Sequence, residues 1–139
     1  MEAKKMKKML LLCGCLTALA AVSCAKDKPE EPAPPPKAIE LNCSGTAEEG
    51  GLRIHFASVT SDGRCPNGTQ CVWAGNAEIV LELSGDGNHA AVLNTNPQFQ
   101  QSYRTSEHVV TLKELKPYPE AGQTIALSDY VAVLTVEKK

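Results

Sequence analysis

Six cysteines and three histidines carry the reactive chemistry of this 139-residue chain: Cys13, Cys15, Cys24, Cys43, Cys65 and Cys71, with His55, His89 and His108. A cysteine becomes a catalytic nucleophile when a base, usually histidine, stands beside it and the local field lowers its thiol pKa. The three histidines lie on separate segments with no surrounding signature, and nothing in the sequence connects them. They also lack the close His or Cys spacing of a zinc site. Neither a glycine-rich phosphate loop nor a serine nucleophile elbow is present. The acidic pairs Glu30-Glu31 and Glu48-Glu49 are expected in the tether and in a turn, where solvation explains them. The expectation is a non-enzyme with no metal and no cofactor.

The chemistry assigned to Cys24 follows from what precedes it. Residues 1–23 run from a basic stretch (Lys4, Lys5, Lys7, Lys8) through an apolar run, Met9 to Val22, to small residues. This is the layout of a secretory signal. A membrane-crossing helix needs about 20 predominantly apolar residues, whereas this run is shorter and meets Lys26, Asp27 and Lys28 at once. The segment Ala21-Val22-Ser23-Cys24 resembles the lipobox of bacterial lipoproteins, with Ala21 where that family prefers Leu. The resemblance implies cleavage before Cys24, a diacylglycerol on its sulfur and acyl chains such as palmitate, and hence a membrane lipid as partner. A second fit, Leu12-Cys13-Gly14-Cys15, leaves an apolar core too short for export, which needs about 7–15 residues. Ordinary cleavage after Ala18-Leu19-Ala20 is the alternative and would leave a soluble protein. Met6 is an alternative start, because Lys7-Lys8 alone would serve as the basic region.

Residues 24–38 read as the lipidated cysteine and a tether. Ala25 to Ala38 holds five of the nine prolines and no large apolar residue. Proline fixes its own backbone angle and donates no hydrogen bond, so this stretch is expected to stay solvated and extended at about 3.1 Å per residue. Lys26-Asp27 is similar to the charged surface-export signals of some Gram-negative lipoproteins. Removal of residues 1–23 takes away four lysines and Glu2, leaving 10 basic against 15 acidic side chains. A phosphate backbone is bound by clustered Lys and Arg, and no cluster survives, so nucleic acid is excluded as a partner.

The most specific segment is Asp62-Gly63-Arg64-Cys65-Pro66-Asn67-Gly68-Thr69-Gln70-Cys71-Val72-Trp73-Ala74-Gly75. An exported chain meets an oxidising compartment. Cys65 and Cys71 enclose Pro66 and Asn67-Gly68, which turn the chain back on itself, so a Cys65–Cys71 disulfide is expected. Cys43 is then left over; the readings are a free, buried small hydrophobe, a pairing with Cys65 or Cys71, or an intermolecular bond. Trp73 stands two residues beyond Cys71, and on an extended strand both would share a face. The indole would then pack over the disulfide or cap the core, or else serve as an aromatic platform for a sugar or peptide. Asp62 and Arg64 are expected to pair across the loop. The segment resembles the DSRCP…CxWAG signature of a family of small, largely uncharacterised bacterial secreted proteins and lipoproteins, with Gly63 in place of the usual Ser. The likeness extends from Leu52 through Leu115-Lys116-Pro117-Tyr118-Pro119 to the closing strand. It implies an all-β domain and lends no activity.

Residues 39–139 must position this loop, and their pattern is alternation. Leu52-Arg53-Ile54-His55-Phe56 and Ala77 to Leu83 have period two, the mark of half-buried strands. Turn signals separate the runs: Glu49-Gly50-Gly51, Gly85-Asp86-Gly87-Asn88, Asn94-Thr95-Asn96-Pro97 and Pro117-Tyr118-Pro119. The sequence predicts one all-β domain, an antiparallel sandwich or open barrel of about six to seven strands. Tyr130 to Val136 is expected to be a central strand covered on both faces. Helix is limited to a turn around Leu112 to Leu115.

The resulting expectation is a protein of the bacterial cell envelope, on the outer membrane in a Gram-negative cell, whose domain binds a protein or glycan partner. Its candidate contact residues are Trp73, Asn67, Thr69 and Arg64. The alternative is an inhibitor of a hydrolase that presents the Cys65–Cys71 loop.

Overall fold

Alternation becomes eight strands among residues 35–139, the part of the chain that this computed structural model describes. In order they are β1 (Ala38–Asn42), β2 (Thr46–Glu49), β3 (Leu52–Asp62), β4 (Ala77–Ser84), β5 (Asn88–Asn94), β6 (Ser102–Arg104), β7 (His108–Lys116) and β8 (Val131–Lys138). The leader, Cys24 and the tether up to Pro34 lie outside the described residues. Two antiparallel four-stranded sheets form, ordered β1-β8-β7-β6 and β2-β3-β4-β5. The chain begins in one sheet, runs a four-strand meander in the other, and returns. The sheets remain open, so the architecture is a sandwich and not a barrel.

Each alternating run buries one phase against the facing sheet. On β3, Leu52, Ile54 and Phe56 point inward while Arg53 and His55 point out. On β4, Ile79, Leu81 and Leu83 do the same, with Ile54 opposite Leu83 and Phe56 opposite Leu81. Val110, Leu112, Leu115, Ala132 and Leu134 supply the other half of the core, none more than 2% exposed. Each fully buried large side chain contributes about 1.5–3 kcal/mol. Cys43, just past β1, is a free thiol packed against this core.

Four expectations are corrected. Glu48 and Glu49 are not in a turn but on β2, where Glu48 pairs with Arg53 on the exposed face. The strands number eight against the anticipated six or seven; β2 and β6 are short and polar, so alternation reveals them poorly. The turn around Leu112 to Leu115 is not helical but lies within β7. A register shift between Leu112 and Glu114 inserts one extra residue against β8, and such a bulge rephases the side chains. Leu112 and Leu115 therefore both face the core although they are three apart, which imitates helical spacing. Strand β8 is central, between β1 and β7, and its inner face is closed by the opposing sheet; on the outer phase Val131 and Val133 are half-buried and Thr135 is buried. Beyond β7, Leu127–Asp129 forms a single 3-10 turn.

The two ends of the sandwich differ in kind. At one end lie the tight turns at Gly50-Gly51, Gly85 to Gly87 and Thr105 to Glu107, together with the beginning of β1 and the end of β8. At the other lie three longer loops, residues 63–76, 95–101 and 117–130. The chain thus enters the domain, at Ala38, at the end opposite the cysteine loop.

Candidate functional site

The loop end is built on Arg64. Its side chain is 7% exposed and its guanidinium makes a forked pair with Asp62, Nε to Oδ1 at 2.8 Å and Nη2 to Oδ2 at 2.6 Å. The remaining donors reach 51 and 53 residues along the chain, Nη1 to the Leu115 carbonyl at 2.6 Å and Nη2 to that of Pro117 at 2.9 Å. The Tyr118 ring lies 5.2 Å from the guanidinium carbon, within cation–π range. Tyr130 donates its hydroxyl to Asp62 at 3.0 Å. Burial alone would raise the Asp62 pKa. The hydrogen bonds from Arg64, its charge and the Tyr130 hydroxyl outweigh that and hold the carboxyl below its usual range. Burial and the neighbouring carboxylate push the Tyr130 phenol up.

The loop that Arg64 anchors is closed by the Cys65–Cys71 disulfide. In the chain-entropy model a ring of this size stabilises by at most about 2.4 kcal/mol. Asn67 pairs its backbone N–H with the Pro119 carbonyl and its side-chain amide with Glu120, at 2.9 and 2.7 Å. The Thr69 hydroxyl donates to the Pro66 carbonyl at 2.6 Å. The returning limb is fixed by asparagines. Asn96 donates to the carbonyls of Ala74 and Gly75, while Asn76 donates to Asn94 and accepts from the Asn96 backbone. Between these anchors Gln70 to Ala74 is exposed, Val72 at 91% and Trp73 at 70%.

The four candidate contact residues therefore separate. Arg64 is corrected to an internal tie: it is buried, and four of its five N–H donors are spent on Asp62 and two carbonyls. Asn67 and Thr69 are at the surface but have engaged side chains. Trp73 projects freely. The extended strand expected through Cys71 and Trp73 does not form; the segment is irregular, and the indole is largely exposed and outside the core. Pattern reading missed Phe99, Tyr118 and Leu127, which are exposed in the other two loops. The only signal was the company they keep, since all five glutamines of the sequence, Gln70, Gln98, Gln100, Gln101 and Gln123, fall in the same three loops.

The histidines do not gather into one cluster, but His55 and His89 line the same groove, and His89 and His108 both approach Asp86. His55 is on the outer face of β3, its Nδ1 3.1 Å from the Gly45 carbonyl. It lines a groove of about 540 Å³, of mixed polar and apolar character, with Thr46, Arg53, Glu82, Leu83, Asn88 and His89. His89 packs beside Tyr103, with 5.8 Å between ring centroids. His108 belongs to a clamp at the turn end. Its Nε2 donates to the Gly50 carbonyl at 3.1 Å and its Nδ1 faces Asp86 Oδ2 at 3.4 Å. That same oxygen accepts from the Thr105 hydroxyl and, at 3.0 Å, from the Glu107 backbone. The Thr105 bond is the largest influence on Asp86. It and the Glu107 and His108 contacts prevail over desolvation and lower the pKa to about 2.

A depressed carboxyl pKa contributes stability that is complete above the unfolded value and lost as pH falls through the folded one. For Asp86 that window runs from 3.8 down to about 2. The urea midpoint of the parent is expected to fall more across this window than that of Asp86→Asn. Parallel curves would show that another group governs the acid limb.

Compared with family models, curated proteins and solved structures, the chain matches none.

Proposed function

We propose that this is a lipid-anchored bacterial cell-envelope protein, held through Cys24 and its proline-rich tether, whose β domain is a non-catalytic binding module with the loop end as its contact surface. One observation carries the reading. Among the described residues the exposed large apolar side chains are Val72, Trp73, Phe99, Tyr118, Leu127 and Val92, and all but Val92 sit in the three loops opposite the point where the chain enters. Scattered singly, such groups need no explanation; gathered at one end, they mark an interaction surface. The loops are held in place by the disulfide, Arg64 and the asparagines, and a preordered surface loses less freedom on binding. The resemblance of Asp62 to Gly75 to the DSRCP…CxWAG signature of bacterial secreted proteins and lipoproteins supports an exported setting.

A hydrolase inhibitor is the second reading, favoured by the way Gln70 to Ala74 protrudes between two anchored limbs. Its contact residues would then be Val72 and Trp73, because Asn67 and Thr69 are engaged internally.

The test has two arms. Protein extracted from membranes is expected to have a mass that begins at Cys24 and carries acyl chains; an unacylated chain would end the anchored reading. A photo-crosslinking residue placed at Val72 in cells is expected to give a discrete adduct, and one at Glu82 on the outer sheet face none. Equal labelling at both positions, or none at Val72, would remove the loop end as the contact surface.

A further inference from the structure

The chemistry of the loop end narrows what it binds. The three loops contain only three charged residues, Arg64, Glu120 and Asp129. Arg64 is buried in its pair with Asp62, and Glu120 accepts from Asn67. No cation is left in these loops for a phosphate, sulfate or carboxylate group, although anion recognition depends on Lys and Arg. What the loops offer instead is aromatic faces and amides. Trp73, the only tryptophan of the chain, is joined by Phe99 and Tyr118, one from each loop and all at least half exposed. The same loops carry Gln70, Gln98, Gln100 and Gln123, exposed side chains that make no hydrogen bond within the described residues. Beside Gln123 a hollow of about 220 Å³ opens between Pro119, Thr124, Ile125, Tyr130 and Asp62, whose carboxylate is paired with Arg64.

A primary amide presents two donors and one acceptor oxygen at fixed geometry, which suits a ligand whose hydroxyls both donate and accept. An aromatic face suits the apolar side of a ring held flat against it. Uncharged amides together with exposed rings, without free cations, fit a polyhydroxylated ring compound. They suit a bilayer poorly, because inserting the loops would strip the glutamines of water with no partner in exchange. Anionic headgroups, moreover, would find no lysine or arginine to attract them.

We infer that the loop end binds a neutral glycan, with Trp73 as the stacking platform and the glutamines of residues 95–101 and 117–130 as hydroxyl-recognising groups. The inference rests on the loop end being the contact surface and adds the ligand class.

The experiment uses the full mature protein in detergent, applied to immobilised neutral polysaccharides: an α-glucan, a β-glucan, a mannan and a xylan. A sulfated polysaccharide and phosphatidylcholine vesicles serve as comparison probes. Binding to at least one neutral polymer is expected. It should fall about tenfold or more in Trp73→Ala, fall likewise in Gln98→Ala combined with Gln100→Ala, and persist in Glu82→Ala. Trp73 and both glutamines are exposed, so the fold survives their loss, and an unchanged urea midpoint verifies it. Binding to the sulfated polymer or the vesicles alone would overturn the inference. So would neutral-polymer binding that all the loop variants retain, which would locate the glycan elsewhere, with the groove around His55 as the next candidate. If no neutral polymer binds while Val72 still cross-links to a protein in cells, the glycan is wrong and the contact surface stands. If both fail, both readings fall.

Discussion

Replacing Arg64 with alanine is expected to destabilise the domain by about 3–5 kcal/mol, the range for breaking a buried ion pair from one side. The substitution leaves the Asp62 carboxylate, with its side chain 10% exposed, without its cationic partner. It also takes the donors from the Leu115 and Pro117 carbonyls, and an unpaired buried polar group costs its desolvation in full. The loss exceeds what the disulfide contributes by loop entropy, so Arg64→Ala should lower the urea midpoint more than Cys71→Ser. Arg64→Lys is expected to recover little, because an ammonium group cannot reproduce the fork that serves a carboxylate and two carbonyls together. A drop below about 1 kcal/mol for Arg64→Ala, the level of a surface pair, would show that Asp62 and the two carbonyls find water instead.

The second large effect is expected at Gly75, where a single methyl group has nowhere to go. A β-carbon there would lie 2.3 Å from the Gly63 carbonyl oxygen, 2.4 Å from the Arg64 α-carbon and 2.7 Å from the Cys65 nitrogen. All three obstacles are backbone, so no rotamer change relieves them. The outgoing and returning limbs of the loop would have to separate, straining the disulfide, the Arg64 tie and the Asn96 bonds together. Gly75→Ala is expected to cost about 3 kcal/mol, the upper range of overpacking, or to prevent the disulfide from closing. Thiol labelling before and after reduction, with urea denaturation, reads both. A variant with normal stability and one labelled thiol in the mature chain would mean that the limbs can part freely. Gly68 is the natural control: its φ of 79° strains any side chain, but no atom lies within 4 Å of its β-position.

These two residues also show where sequence reading succeeds and where it stops. The Asp62–Arg64 pair and the Cys65–Cys71 bridge were legible because their partners are two and six residues apart and local turn chemistry determines both. The remaining bonds of Arg64 were not, since its acceptors are backbone carbonyls more than fifty residues away and a carbonyl has no sequence identity. Gly75 was legible only as the last residue of the motif; its role is a close approach of two limbs, which depends on where Gly63 lies. The sandwich itself was readable from Leu52 to Phe56 and Ala77 to Leu83, because alternation states which side chains are buried. The same rule misread Leu112 to Leu115, where a bulge changes the phase, and Trp73, whose spacing from Cys71 implies a shared face only on an extended chain. The exposed rings at the loop end had no local signature, because exposure depends on what the neighbouring loops leave uncovered.

The short first strand has a mechanical consequence. Strand β1 runs from Ala38, at the turn end, to Asn42, at the loop end, and all five of its residues pair with β8. In an antiparallel ladder the inter-strand bonds lie perpendicular to the strands. A load between the polypeptide preceding Ala38 and anything gripped by the loops would act along β1, dividing the force among its bonds at once. A pull sideways across the strand would break them in turn, like a zipper. Traction along the long axis therefore meets the domain in its more resistant direction.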